Sequence, residues 1–542
     1  LDSTSLFSKA LAVLGKTTKE TGNLSLWATA ARTFYPNDTF TEFENTYLKE
    51  IPFVVSPFIP EIKFKEKWNE WKNYQTKELE RSPSWMELTY QLPVEKNVPQ
   101  NFNQEDQGDA NNNSGTTPWR QFFTDPNLVA LIETALKNNQ ELMITLQEIE
   151  IAKSGVLAKK GRLTPNVSAG IGAGVSKVGR YTSEGAGDAT TEIEPGKEMP
   201  DPLGNFEGGL TANWEIDIWK KLRTEKDAAV AHYLSTVEGK NFVLSNLIEE
   251  VADNYYELLA LDNQLDIIQQ YTKLQQRALE ISKIQKEAAA ATELAVKKFE
   301  AELAKSKATE YNIRQEITEK ENEINALCGR FPQPIVRSKG DFMSMIPQTV
   351  YTGIPSQLLA NRPDIKQAEL ELKSSKLDVE AARKEFYPSL EISATLGLEA
   401  FKPSYLVKLP DSMAASLVGE LAGPLINKSA IKANFQTADA RQIQALYEYD
   451  KTILNAYLDV ANLMSKVKNI DQYYKLKSEE TKALEQSIDI ANQLFKNSRA
   501  DYLEVLLNQR DALDAKMELV EAKQKQLSTV VDIYKSLGGG WK

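Results

Sequence analysis

The stretch FEGGLTANWEIDIW, residues 206–219, sets Phe206, Leu210, Trp214, Ile216 and Ile218 against Glu207, Thr211, Asn213, Glu215 and Asp217. Successive side chains of an extended chain point to opposite faces, so this period of two predicts a strand with one apolar and one polar face. Three further stretches repeat the pattern. NVSAGIGAGVS (166–176) alternates Val167, Ala169, Ile171, Ala173 and Val175 with serine and glycine. SLEISATLGLEAF (389–401) sets Leu390, Ile392, Leu396 and Leu398 against Glu391, Ser393, Thr395 and Glu399, and SMAASLVGELAGPL (412–425) sets Met413, Leu417, Leu421 and Leu425 against Ser412, Ser416 and Glu420. Runs of this length match tilted membrane-spanning strands, which need about 9–11 residues. A soluble sandwich with one buried face fits the alternation as well. The segments next to the strands separate the two.

Each strand pair runs into helix on an unusual scale. No proline occurs between Pro202 and Pro332, and none after Pro424. Proline breaks helix interiors, so both spans are free to form very long helices. From about Lys220 to Gln285 the residues Leu244, Leu247, Val251, Leu258, Leu261, Leu265 and Ile268 recur at heptad steps, interrupted only at Asn254, which is the pattern of a coiled-coil seam. A second such span runs from about Asn427 to Lys496. A helix of ~65–70 residues is roughly 100 Å long, against an ordinary helix of ~11–12 residues, so a rod is expected. Each long span breaks briefly, at KEAAAATEL (286–294) and NSRADYLEV (497–505), then resumes to Cys328 and Leu537, which predicts helical hairpins. The order helix, strand, loop, strand, long helix, break, helix occurs twice. LTPNVSAG (163–170) answers FYPSLEIS (386–393), and LCGRFP (327–332) answers the terminal LGGGW (537–541), whose glycines stop a helix. An internal duplication of just over 200 residues is expected.

The totals exclude several classes. Net charge is −12, which argues against a nucleic-acid partner. One cysteine, Cys328, precludes an internal disulfide and reads as a small buried apolar residue. With one histidine, His232, and no cysteine pair, no metal site, cofactor or catalytic triad is expected, and the chain reads as a non-enzyme. No run of 18 apolar residues predicts a membrane-crossing helix. Leu1 opens a polar, amphipathic stretch in which no signal peptide is present, so either processing precedes this numbering or the chain is cytoplasmic.

From about Tyr90 to Lys542 the chain resembles the outer-membrane efflux protein family, the TolC-like channels of Gram-negative tripartite pumps. Five motifs carry the resemblance in order: WRQFFTDPNLVALIETALKNNQEL (119–142), NWEIDIWKKLR (213–223), IPSQLLANRPDIKQAELEL (354–372), FYPSLEISATLG (386–397) and the terminal YKSLGGGW. The branch resembled works with proton-driven RND transporters. The resemblance implies an α+β membrane protein: a homotrimer in which four strands per protomer make a twelve-stranded β-barrel in outer-membrane lipid, continued by a coiled-coil α-helical tunnel through the periplasm. The implied partners are a periplasmic adaptor and an inner-membrane RND transporter. The alternatives are the same duct serving a type I protein-secretion ABC exporter, and a coiled-coil scaffold that forms no channel.

On that resemblance the chain divides into an unassigned extension (1–88), a polar linker (89–118) and two repeats, 119–338 and 339–542. The first repeat holds strands at about 166–178 and 206–219, a long helix at about 220–285 and a helix at about 293–328. The second holds strands at about 389–401 and 412–425, a long helix at about 427–496 and a helix at about 502–537. With apolar strand faces toward lipid, Glu207, Glu215, Asp217, Glu391, Glu399 and Glu420 face the lumen, and rings of acidic side chains favour cations. Family members close at the periplasmic end, near a YLEVL-like motif, here in RADYLEVLLNQRD (499–511). Glu504 matches an acidic gate position. Leu507 stands where some members carry a second aspartate, so Asp501 or Asn508 contributes instead, or a leucine ring seals by excluding water. Arg499 is the candidate latch. The adaptor-docking tips fall at Ala288, Ala289, Ala290, Ala291 and Thr292 and at Asn497, Ser498 and Arg499. Residues 1–88 match nothing in the family, and no cysteine stands near the start for lipid attachment.

Overall fold

The alternation around Trp214 is a strand, and it is the second of four in one antiparallel sheet of the computed structural model. The structure describes residues 99, 101–102, 112–288, 291–337, 342–423, 428–496 and 502–542. The expected extension 1–88 therefore lies outside the described residues, as does most of the linker. In chain order the elements are the short helix α1 (Trp119–Phe122), α2 (Pro126–Asn138), α3 (Gln140–Gly161), β1 (Asn166–Ser176), the short helix α4 (Ser183–Asp188), the small hairpin β2 (Glu192–Glu194) and β3 (Lys197–Glu198), and β4 (Leu203–Ile216). Then come α5 (Lys221–Glu287), α6 (Glu293–Leu327), α7 (Ser356–Asn361), α8 (Pro363–Lys384), β5 (Ser389–Ala400), β6 (Met413–Ala422), α9 (Ser429–Lys496) and α10 (Tyr502–Ser536). The two long helices have 67 and 68 residues, and the helices after them have 35 each. Among the described residues no helix is long and apolar enough to cross a membrane.

The described residues fall into two compact units. The first comprises Gly155–Val230 and Ser374–Ile443. Its sheet has the order β1-β4-β5-β6 with every neighbour antiparallel. β4 begins earlier than the alternation suggested and stops at Ile216. The next residue, Asp217, accepts hydrogen bonds from the amides of Leu222 (2.9 Å) and Arg223 (3.0 Å), so its carboxylate satisfies donors that the first turn of α5 leaves unpaired. The Trp219 indole donates to the Pro388 carbonyl at 2.7 Å and its ring lies 5.3 Å from Tyr387, which ties the start of α5 to the start of β5.

The second unit comprises Asn97–Ser154, Ala231–Lys373 and Gln444–Lys542. Asp125 caps α2 through the Asn127 amide (2.8 Å), with Pro126 at the first helical position, and Asn139 caps α3 through the Leu142 amide (2.9 Å). The main core joins Phe122, Leu128 and Ile132 to Val251, Tyr255 and Leu258 of α5, Ile324 and Cys328 of the α6 end, and Val531 and Tyr534 of α10. Cys328 is fully buried, and burial pushes its thiol up. His232 is exposed with Nδ1 2.9 Å from Glu371, and the Ser235 hydroxyl donates to that same carboxylate rather than to the imidazole, so no nucleophile–base pair forms.

The terminal glycines end α10 by folding back on it. Gly538 donates to the Lys535 carbonyl (2.8 Å) and Gly539 to that of Tyr534 (3.0 Å). Gly538 and Gly540 hold φ of 90° and 100°, a region that favours glycine. Leu537 is fully buried, the Gly539 carbonyl accepts the Ser245 hydroxyl at 2.8 Å, and the Trp541 indole donates to the Asn361 carbonyl at 3.3 Å. The tryptophan on the stop docks the end of the chain.

Candidate functional site

The register of the sheet sorts every strand residue onto a face. Directly paired residues share a face, and the face alternates along each strand. One face carries Val167, Ala169, Ile171, Ala173 and Val175 of β1, and Gly204, Phe206, Gly208, Leu210, Ala212, Trp214 and Ile216 of β4. On β5 and β6 it carries Leu390, Ile392, Ala394, Leu396, Leu398, Met413, Ala415, Leu417, Gly419 and Leu421. No polar side chain interrupts it. It is also uncovered: Ile171 is 96% exposed and Leu417 77%. A soluble sandwich would bury this face against a second sheet. Here both faces of β1 and β6 are open.

The opposite face carries cross-strand rows of polar and small residues. Ser168, Thr211, Thr395 and Ser416 form one row. Glu207 stands directly opposite Glu399, and Glu215, Glu391 and Glu420 align across three strands. Like charges placed opposite each other destabilise a sheet. Glu215 is relieved by Lys221 at 2.5 Å and Arg162 at 3.8 Å. Among the described residues, Glu207, Glu391, Glu399 and Glu420 have no such cation. Asp217 is not part of this face: it lies past the end of β4, its side chain is 6% exposed, and its carboxylate caps α5. The expectation that it faces a lumen extrapolated the alternation beyond the strand.

Glycines shape the same face. A Cβ on Gly209 would lie 2.6 Å from the Cα of its partner Gly397, and one on Gly397 would lie 2.9 Å from the Cα of Gly209. Both hypothetical side chains point to the polar side, where the two backbones approach too closely for any residue but glycine. Gly172 leaves room in the same way for the side chain of Glu207, whose Oε1 would meet a Cβ there at 2.6 Å.

The second group of residues lies at the α9–α10 hairpin. On the first turns of α10, Leu503 (43% exposed), Glu504 and Leu507 (38%) are exposed, while Val505, Leu506 and Gln509 are buried. Asn508 is engaged within the hairpin: its amide donates to the Glu504 carbonyl (2.8 Å) and its Oδ1 accepts the Ser487 hydroxyl (3.0 Å). Arg499, Asp501, Asn497 and Ser498 lie outside the described residues. So do Ala289 and Ala290 at the α5–α6 turn, where Ala288 and Ala291 donate to the carbonyls of Ile284 and Gln285. Thr292 caps α6 through the Ala295 amide, and Lys286 and Glu293 pair across the turn, which holds the Glu293 carboxyl below its usual range.

Two features of the second unit escaped the reading of the sequence. Gln275 of α5 and Gln509 of α10 are both buried and share a 3.1 Å hydrogen bond. Glu249 and Asp253 of α5 and Asp532 of α10 bring one oxygen each within 4.8 Å of the others. Neither has a local signal, because the partners stand far apart in the chain.

The sequence pattern described as outer membrane efflux protein matches residues 131–330 and 354–539. The pyoverdine export outer membrane protein OpmQ of Pseudomonas putida is 26% identical over 424 residues, covering 78% of this chain and 88% of that protein. The cation efflux system protein CusC of Escherichia coli O6:H1 is 24% identical over 458 residues, covering 84% of this chain and 95% of that protein. Among solved structures, the open state of the Neisseria gonorrhoeae MtrE outer membrane channel superposes with a TM-score of 0.71 at 22% identity, over 82% of this chain and 96% of that one.

Proposed function

The chain belongs to the outer membrane efflux protein family, and from that premise we propose that it is the exit duct of a tripartite pump, working as a homotrimer with a periplasmic adaptor and an inner-membrane RND transporter. The observation that carries this reading is the open sheet with one wholly apolar, uncovered face and one polar, acid-bearing face. In lipid such a sheet leaves its edge amides unpaired at several kcal/mol each, about the cost of any unsatisfied group there, so only closure satisfies it. Its edge strands β1 and β6 run antiparallel to one another. The β6 of a neighbouring copy can therefore continue β1 without a break in pattern, and four strands from each of three copies close a twelve-stranded barrel. The close approach of Gly209 and Gly397 on the polar side leaves room for the sheet to curve that way, and the matched helix lengths of the two halves support an internal duplication.

Glu207, Glu391, Glu399 and Glu420 then form rings that favour cations, with Glu215 discounted by its lysine and arginine. Glu504 and Leu507 are placed at the periplasmic aperture, the leucine as a water-excluding seal. Ile281 (52% exposed), Ile284 (66%) and Leu294 (60%) flank the α5–α6 turn and supply the apolar surface on which an adaptor docks, together with the α9–α10 turn. The test is single-channel conductance of the detergent-purified protein in a planar bilayer under a salt gradient. A small cation-selective conductance that rises in Leu507→Ala supports the gated duct. A folded trimer silent in both wild-type and variant form refutes it.

A further inference from the structure

In the second unit, α5, α10 and α9 enclose a group of charges that no pore function requires. Glu249 and Asp253 lie one turn apart on α5 and face Asp532 of α10, with one oxygen of each within 4.8 Å of the others. Two lysines border the group. Lys535 of α10 pairs with Glu249, and Lys466 of α9 pairs with Asp532 at 3.0 Å. Among the described residues Asp253 has no lysine of its own, and its Oδ1 is buried without a hydrogen-bond partner. Its other neighbours are Tyr256 on α5, raised above its usual range by burial and the nearby carboxylates, and on α10 the Ser528 hydroxyl, which hydrogen-bonds the Asp253 carboxyl and, like the charge of Lys466 on α9, favours its ionised form. The group adjoins a cleft of about 510 Å³ lined by Glu249, Asp532, Lys535, Arg362, Asp364 and Asp459, in which Arg362 is committed to Asp364 (2.7 Å) and Asp459 (3.3 Å). Three carboxylates against two lysines leave one negative charge unmatched, and Oδ1 of Asp253 is the oxygen buried without a partner.

We propose that Glu249, Asp253 and Asp532 form a proton-binding clasp: one proton taken up on Asp253 and donated to a neighbouring carboxylate oxygen joins α5 to α10, and its loss leaves two like charges facing each other across that contact. The proton balances the charge count, because the protonated cluster has two carboxylates for two lysines. A hydroxyl on Asp253 also gives its buried oxygen the hydrogen bond it lacks. Burial first, and then the charge of Asp532, push the Asp253 carboxyl up to about 7. Burial likewise raises Glu249, opposed by Lys535.

A carboxyl raised in the folded state binds its proton at a pH where the unfolded chain has released it. Stability from this group is therefore full at low pH and falls as pH rises from about 4 towards about 7. The clasp is tight in acid and loosens above neutrality. It operates whether or not the sheet closes into a pore, so its test is independent of conductance.

The test is difference infrared spectroscopy of the purified full chain between pH 5 and pH 8, with thermal unfolding at both pH values. The expected result is a protonated-carboxyl carbonyl band that titrates near neutrality and is lost in Asp253→Asn. That variant's advantage over wild type should be about 3 °C larger at pH 8 than at pH 5. Should Asp253→Asn fail to fold, Asp532→Asn removes the facing charge and should lower the midpoint of the band. Absence of the band in wild type, its persistence in Asp253→Asn, or an unchanged midpoint in Asp532→Asn overturns the clasp.

Discussion

Replacing Gly539 by alanine tests whether the terminal glycines are a built dock or a loose end. A Cβ at Gly539 would meet Cζ and Cδ2 of Tyr534 at 2.6 and 2.7 Å. Ordinary contact begins near 3.4 Å and Cε2 of the same ring lies nearer still, so the ring must retreat by about 1 Å, and a packed interior resists such a shift. The ring is 1% exposed, stacks on Phe122 at 3.9 Å, meets Phe123 edge-on at 6.3 Å and donates its hydroxyl to the Thr117 carbonyl at 2.7 Å. Overpacking of this kind costs about 1–3 kcal/mol. Dragging the hydroxyl off Thr117 adds about 1–3 kcal/mol for the bond left unmade. A total of about 2–6 kcal/mol corresponds to a fall of about 2–6 °C in the unfolding midpoint of a chain of 542 residues. The assay is thermal unfolding of the purified protein, paired with Tyr534→Ala and the double variant. Because a truncated ring leaves room for the new methyl, Gly539→Ala should cost little in the Tyr534→Ala background. A single variant within about a degree of wild type, or equal costs in both backgrounds, refutes the packing argument.

The sheet and the hairpins yield further outcomes. Glu391→Gln combined with Glu420→Gln should reduce cation preference in reversal-potential measurements and raise thermal stability, since it removes facing like charges; Glu215→Gln should change selectivity less. Asp217→Ala should destabilise the protein by about 1 kcal/mol without changing selectivity, as a helix cap rather than a pore residue does. Gln275→Leu alone should cost about 1–3 kcal/mol by stranding Gln509, whereas Gln275→Leu with Gln509→Leu should be near neutral, read by denaturant unfolding. Gly209→Val should lower the yield of the assembled oligomer on gels, because its side chain would collide with the Gly397 backbone.

The strands were legible because a half-exposed sheet writes its two faces into the chain at period two: the alternation at 166–176 is β1, which stops two residues short of the expected end at about 178. Their ends were less so. β4 and the alternation around Trp214 part at Asp217, where side-chain capping of a helix competes with the continuing pattern, and a carboxylate suits both roles. The segment between β1 and β4 contains α4 and a small hairpin, whose short glycine-rich stretches carry no usable period. At the α9–α10 hairpin, Glu504 and Leu507 are exposed, whereas Asn508 spends its amide on Ser487 and its own helix. Nothing in the sequence ranks an asparagine's possible partners.

The long helices, the four strands of the main sheet and its two-faced character were determined by the sequence alone. Both obey local rules: proline-free heptads extend a helix, glycine stops it, and alternation sorts a strand. Only the tertiary structure decided which charges are free. Glu215 and Glu391 look alike in sequence, yet one meets Lys221 and Arg162 while the other meets only glutamates. Asp253 and Asp532 are ordinary helix-surface residues until α5 and α10 are packed together. Coulomb energy and desolvation depend on distance through space and on burial, and neither is a property of position along the chain.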